Sequence, residues 1–160
     1  MLMFYFNLSF GAYFLAAVFY AAVLFFVNKA LLNLARFFMA SGIIGLSFYI
    51  GMRWLAAGRP PLSNLFESLV IFSWVIALAL ILLDLKYKIK SITALAALLN
   101  LLAFGYASLL NKEITPLLPA LKSNWLTIHV LTCFIGYAGL TIAFVSSLIF
   151  LFKKGKENRR

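Results

Sequence analysis

The chain has a single histidine, His129, in the stretch PALKSNWLTIHV (Pro119–Val130), four residues after Trp125. Imidazole titrates near neutral pH and, when neutral, ligates metals and haem iron. Three readings of His129 stay open: an interfacial polar residue snorkelling to water, an interhelical hydrogen-bond donor, or a ligand to a metal or haem iron. One histidine does not close a metal site, so a ligand role needs a second group from elsewhere. Cys133 lies one turn further on, but a thiolate in lipid is costly, and it reads as a small apolar residue. As the only cysteine it excludes an intramolecular disulfide and a CxxC redox or zinc site. Glu67, Asp84, Glu113 and Glu157 are the only acids, and no Gly-rich phosphate loop is present. The paired carboxylates or Ser/His/Asp set of acid–base or acyl chemistry cannot be assembled, so a self-contained catalytic site is not expected.

The elements that must position His129 are hydrocarbon-length helices. Of 160 residues, 65% are hydrophobic and 11% charged, where soluble domains carry roughly 25% charged residues. The fold class is therefore all-α, a polytopic transmembrane helix bundle forming a single transmembrane domain over 1–160. A span needs about 20 mostly apolar residues. Five stretches qualify, at about 5–27, 37–57, 65–83, 91–110 and 125–152. Between them lie a basic loop at Asn28–Arg36, the turn GRPPLSN (Gly58–Asn64), the basic loop DLKYKIK (Asp84–Lys90) and a longer loop at Asn111–Asn124. The tail KKGKENRR follows. The N-terminal residues MLMFYFNLSF lack a basic n-region and a small-residue cleavage site, so the first span reads as retained.

The formal net charge of +10 does not point to nucleic acid, because the cations sit in short blocks between apolar runs. That distribution writes topology. With the N-terminus outside, ten of the 14 Lys and Arg fall in the cytoplasm: Lys29, Arg36, Lys86, Lys88, Lys90, Lys153, Lys154, Lys156, Arg159 and Arg160. Arg53, Arg59, Lys112 and Lys122 fall on the other side, as does His129. Trp54 and Trp125 mark that outer boundary, where an aromatic belt is expected.

Small residues at Ser41/Gly45, Ser47/Gly51 and Gly139/Ala143, with Gly136 a turn earlier, suit close helix packing in lipid. In GRPPLSNLFESLVIFSW (Gly58–Trp74) the prolines forbid helix through Pro60 and Pro61. Asn64 suits an N-cap and Glu67, three residues on, the reciprocal place in a capping box. The other reading of Glu67 is a polar contact to a partner or ligand. Arg59 is a headgroup anchor or an anion clamp, with the anchor favoured. Ser123 or Asn124 suits a cap for the last span, and Trp125 and His129, at i and i+4, share a face.

Two segments carry a resemblance. PLSNLFES (Pro61–Ser68) resembles the G-x-x-P-L-S-N-L-Y-E-S segment of the CcsA/ResC family of cytochrome c biogenesis proteins, with Phe66 in place of the commoner tyrosine. PALKSNWLTIHV followed by Gly136-Tyr137 resembles the same family's P-A-L-Q-S-N-W-L-x-x-H-V segment. Order, spacing and expected side of the membrane agree, and the likeness covers about Arg53 to Phe152.

The resemblance implies haem delivery and attachment to apocytochrome c at the outer face of the cytoplasmic membrane, with a CcsB/ResB-type membrane partner. It implies His129 as one axial ligand to the iron of a transiently held haem b, with Trp125 shaping the pocket. Arg59 or Lys122 would pair with haem propionates. The family pattern continues with a tryptophan-rich WWD segment and a further histidine, which this sequence lacks. The expectation is therefore an incomplete or split family member holding part of a haem site. Two other classes stay open. A small membrane transporter subunit would show a polar, discontinuous midplane, and the sequence shows none. In a non-catalytic scaffold His129 would be merely interfacial.

Overall fold

The structure is a computed structural model that describes residues 1–26, 28–87, 89–116 and 123–157. It is all-helical among those residues: α1 (Leu2–Phe25), α2 (Lys29–Ala57), α3 (Leu65–Tyr87), α4 (Lys90–Ser108) and α5 (Asn124–Glu157). All five helices are long and apolar enough to cross a membrane. Cross-helix contacts set an up-down order. Phe6 of α1 meets Tyr49 near the end of α2, Phe66 at the start of α3 and Phe104 near the end of α4. At the opposite end Phe19 stacks on Phe38, and Tyr20 and Arg36 reach Asp84. Phe72 of α3 touches Phe134 and Tyr137 of α5, so α5 runs alongside α3. The starts of α1, α3 and α5 thus share one pole with the ends of α2 and α4. This motif pole carries both sequence segments, and the basic pole lies opposite.

Two segments expected as loops are helical. The stretch Asn28–Arg36 contributes only its first residue as a cap: Asn28 Oδ1 accepts from the Ala30 N–H at 2.8 Å, and α2 begins at Lys29. Asp84, the first residue of the expected DLKYKIK loop, lies inside α3, which continues to Tyr87. The reason is the same at both sites. Arg36 Nε donates to Asp84 Oδ2 at 2.6 Å and the Tyr20 hydroxyl to the same oxygen at 3.4 Å. Charges that look like span breakers one at a time neutralise each other across helices. The last helix likewise runs past Phe152 into the basic tail as far as Glu157.

Close packing of α1 on α2 uses Gly45, one of the small residues expected at a packing face, together with Gly42, while Gly51 is not used. A Cβ on Gly42 would lie 2.5 Å from the Tyr13 ring, and one on Gly45 would lie 2.7 Å from Ser9 Oγ. A Cβ on Gly51 would meet nothing within 4 Å. Ser41 instead turns its hydroxyl back to the Phe37 carbonyl. Ser47 accepts from Trp74 Nε1 at 2.8 Å and so pins α3 to α2. Gly136 and Gly139 of α5 likewise have no neighbour for a Cβ, and most of α5 away from α3 and α4 is exposed. Midway along the bundle the Ser73 hydroxyl donates to Asn100 Oδ1 at 2.8 Å, both residues buried. These polar groups were not expected from sequence, but α3 and α4 pass through them as unbroken helices.

Candidate functional site

The motif pole is organised by one carboxylate. Helix α2 ends at Gly58, whose φ of 63° is the left-handed conformation that glycine adopts without strain. Pro60 and Pro61 keep the next residues out of helix, and Leu62 N–H closes a tight turn on the Pro60 carbonyl. Asn64 Oδ1 then accepts from the Glu67 N–H at 2.8 Å, the expected cap of α3. The reciprocal half of the box differs from expectation. Glu67 Oε2 accepts from the backbone N–H of Ser63, not Asn64, at 2.9 Å, and from the Ser63 hydroxyl at 3.0 Å.

Its remaining valences go to two arginines. Arg53 Nε donates to Glu67 Oε1 at 3.0 Å, and Arg59 Nη1 donates to Oε2 at 3.1 Å. The Glu67 side chain is fully buried. The arginines then reach a distant loop: Arg53 donates to the carbonyls of Lys112 at 2.7 Å and Glu113 at 3.1 Å, and Arg59 Nη2 to that of Thr115 at 2.7 Å. The Arg53 guanidinium also lies over the Phe66 ring, 5.0 Å from its centroid. One carboxylate therefore ties together the end of α2, the turn, the start of α3 and the 111–116 loop. Arg59 folds into this cluster and is nearly buried.

His129 and Trp125 lie on another part of the same pole. Both are exposed on α5, Trp125 by 81%. His129 Nε2 is 3.6 Å from Cys133 Sγ, so Cys133 is a polar neighbour of the imidazole rather than an apolar filler. Among the described residues no group of three or more His, Cys, Asp or Glu is placed to hold a metal ion. The imidazole is exposed on α5, with Cys133 as its side-chain neighbour.

Of the four site residues expected from sequence, the structure brings Trp125 and His129 together on one exposed face. Arg59 lines a cleft against Leu126, Thr127 and Val130, a different side of α5. Lys122 lies outside the described residues. Sequence reading missed Arg53 as a member of the cluster. The available signal was its position in an apolar span, where an ionisable residue marks a tertiary partner.

Comparison with known proteins gives a consistent result. The cytochrome C assembly protein family matches residues 62–160. The chain is 35% identical over 152 residues to a protein named cytochrome c biogenesis protein CcsA from Trieres chinensis, covering 91% of this chain and 48% of that one. A protein of the same name from Pyropia yezoensis is 35% identical over 157 residues, 94% of this chain and 49% of the relative. One from Prochlorococcus marinus (strain NATL1A) is 34% identical over 127 residues, 77% and 40% respectively. The chain spans about half the length of the curated relatives it matches.

Proposed function

This chain belongs to the cytochrome C assembly protein family, and from that premise we propose that it takes part in haem delivery to apocytochrome c, with His129 as an axial ligand to haem iron. The observation that carries the reading is the exposed imidazole of His129 beside Trp125, at one end of a spanning helix and on a face that no other described helix covers. A neutral imidazole binds iron through one ring nitrogen. Nε2 is engaged by Cys133 Sγ, so ligation uses Nδ1 or requires the thiol to turn away. Trp125, one turn before His129, presents an indole on the same side and forms an apolar wall.

Haem, when bound, supplies the vinyl groups to which apocytochrome thiols add; this chain supplies ligation, orientation and access. Lys122, three residues before Trp125 in sequence, is the cation we assign to a propionate. Arg59 lines the cleft against Leu126, Thr127 and Val130 rather than the face that carries His129, and its part in this reading is to hold the motif pole together through Glu67 and Thr115. The second axial ligand would come from outside this chain, and a CcsB/ResB-type membrane protein and apocytochrome c are the proposed partners. Seven cations, Lys29, Arg36, Lys86, Lys90, Lys153, Lys154 and Lys156, lie on residues of the basic pole. We place that pole in the cytoplasm, on the positive-inside rule, and the motif pole at the outer face of the cytoplasmic membrane.

The test is co-purification. Wild-type protein and His129→Ala, each expressed with the partner, are compared for haem retained per polypeptide. The expected result is a large loss of haem in the variant with unchanged helical content. Equal retention would overturn the ligand role.

A further inference from the structure

The cleft at the motif pole is a site separate from His129, and we propose that it holds the phosphodiester headgroup of an anionic phospholipid. Its volume is about 710 Å³, within the ordinary range of ligand cavities. Three segments distant in sequence build it: the turn after α2, the 111–116 loop and the first turns of α5. Arg59, Ser63, Asn124 and Thr127 give it a polar side, and Leu62, Ile114, Leu126 and Val130 an apolar one.

Charge selects the ligand. Arg53 and Arg59 share the single carboxylate of Glu67, which leaves one positive charge over. The two guanidinium side chains are only 3% and 10% exposed, and among the described residues no acidic side chain lines the cleft. An uncompensated cation at the end of a membrane bundle is costly unless an anion meets it. Arg59 Nη1 and Nη2 carry its contacts to Glu67, Pro60 and Thr115, while its Nε has no hydrogen-bond partner among the described residues. A phosphate oxygen accepts well from such a donor.

Position selects the source. The cleft lies where α2 ends and α5 begins, two helices long and apolar enough to cross a membrane, and on the proposed reading of this pole as an outer face that is the level of lipid headgroups; Leu126 and Val130 of α5 give it an apolar wall. A ligand anionic at one end and apolar beyond it fits both sides, and a membrane phospholipid has that form.

The experiment uses the full chain in mixed micelles holding equal amounts of phosphatidylglycerol and phosphatidylcholine with identical acyl chains. Lipids retained after transfer to detergent are read by native mass spectrometry. Wild type should retain phosphatidylglycerol about tenfold over phosphatidylcholine, the ratio expected of one charge-assisted contact. Thr127→Trp adds bulk to the α5 wall of the cleft, leaves the Arg59 and Glu67 residues themselves unchanged, and should bring the ratio close to one. Arg59→Gln, which leaves Glu67 paired with Arg53, should do the same. If Arg59→Gln does not fold, Thr127→Trp decides alone. Equal retention of the two lipids by wild type, or an undiminished preference in Thr127→Trp, would overturn the proposal. So would displacement of phosphatidylglycerol by inorganic phosphate at similar concentration, since the ligand would then be a free anion.

Discussion

Arg53 and Glu67, fourteen residues apart in sequence, meet with Nε 3.0 Å from Oε1, and both side chains are withdrawn from solvent. The contact joins the last turns of α2 to the first turn of α3 across the Gly58–Asn64 turn. Because Arg59 and Ser63 converge on the same carboxylate, the geometry of the motif pole depends on Glu67.

Glu67→Ala removes the one anion from between two buried guanidiniums. Breaking a buried pair on one side costs about 3–5 kcal/mol. The expected outcome is a loss of that size in reversible unfolding by denaturing detergent, read by helical circular dichroism. Arg53→Ala should destabilise more than Arg59→Ala, since Arg53 also carries the Lys112 and Glu113 carbonyls. A change below about 0.5 kcal/mol for Glu67→Ala, the range of a surface substitution, would show that the cluster does not hold the pole.

How much of this was legible beforehand follows from the residues themselves. Five apolar runs bounded by turns and charges are visible one segment at a time, and all five helices formed. The Asn64 cap also depends on local spacing alone, and it formed. The cluster does not depend on spacing alone: whether Glu67 bonds to Asn64, to Ser63 or to two arginines is decided by how the left-handed Gly58 aims the chain. Arg36 and Asp84, 48 residues apart, each read as a loop residue because the partner that makes helix tolerable sits on another helix. That Trp125 and His129 share a face was legible from their spacing of four, and both are exposed on α5.

The pair at the basic pole makes a second test. Arg36 and Asp84 should show a coupling of about 0.5–3 kcal/mol in a double-mutant cycle of Arg36→Gln and Asp84→Asn. The side chain of Arg36 is 22% exposed, so solvent screening places the value toward the lower end. Additive single effects would mean that the 2.6 Å contact contributes nothing to stability.

Packing of α1 on α2 predicts a contrast between two glycines. Gly42→Ala drives a methyl against the Tyr13 ring and should cost about 1–3 kcal/mol. Gly51→Ala has open space and should be neutral or slightly stabilising through helix propensity. Equal effects of the two substitutions would contradict the proposed close approach at Gly42.

The central claim is that His129 binds haem iron, and the most direct measurement is the haem absorption spectrum of the protein purified with its membrane partner. His129→Gly should lose or shift the Soret band of the wild type, and added imidazole, entering the space left by the side chain, should restore it. A Soret band of unchanged position and intensity in His129→Gly, indifferent to imidazole, would contradict the claim.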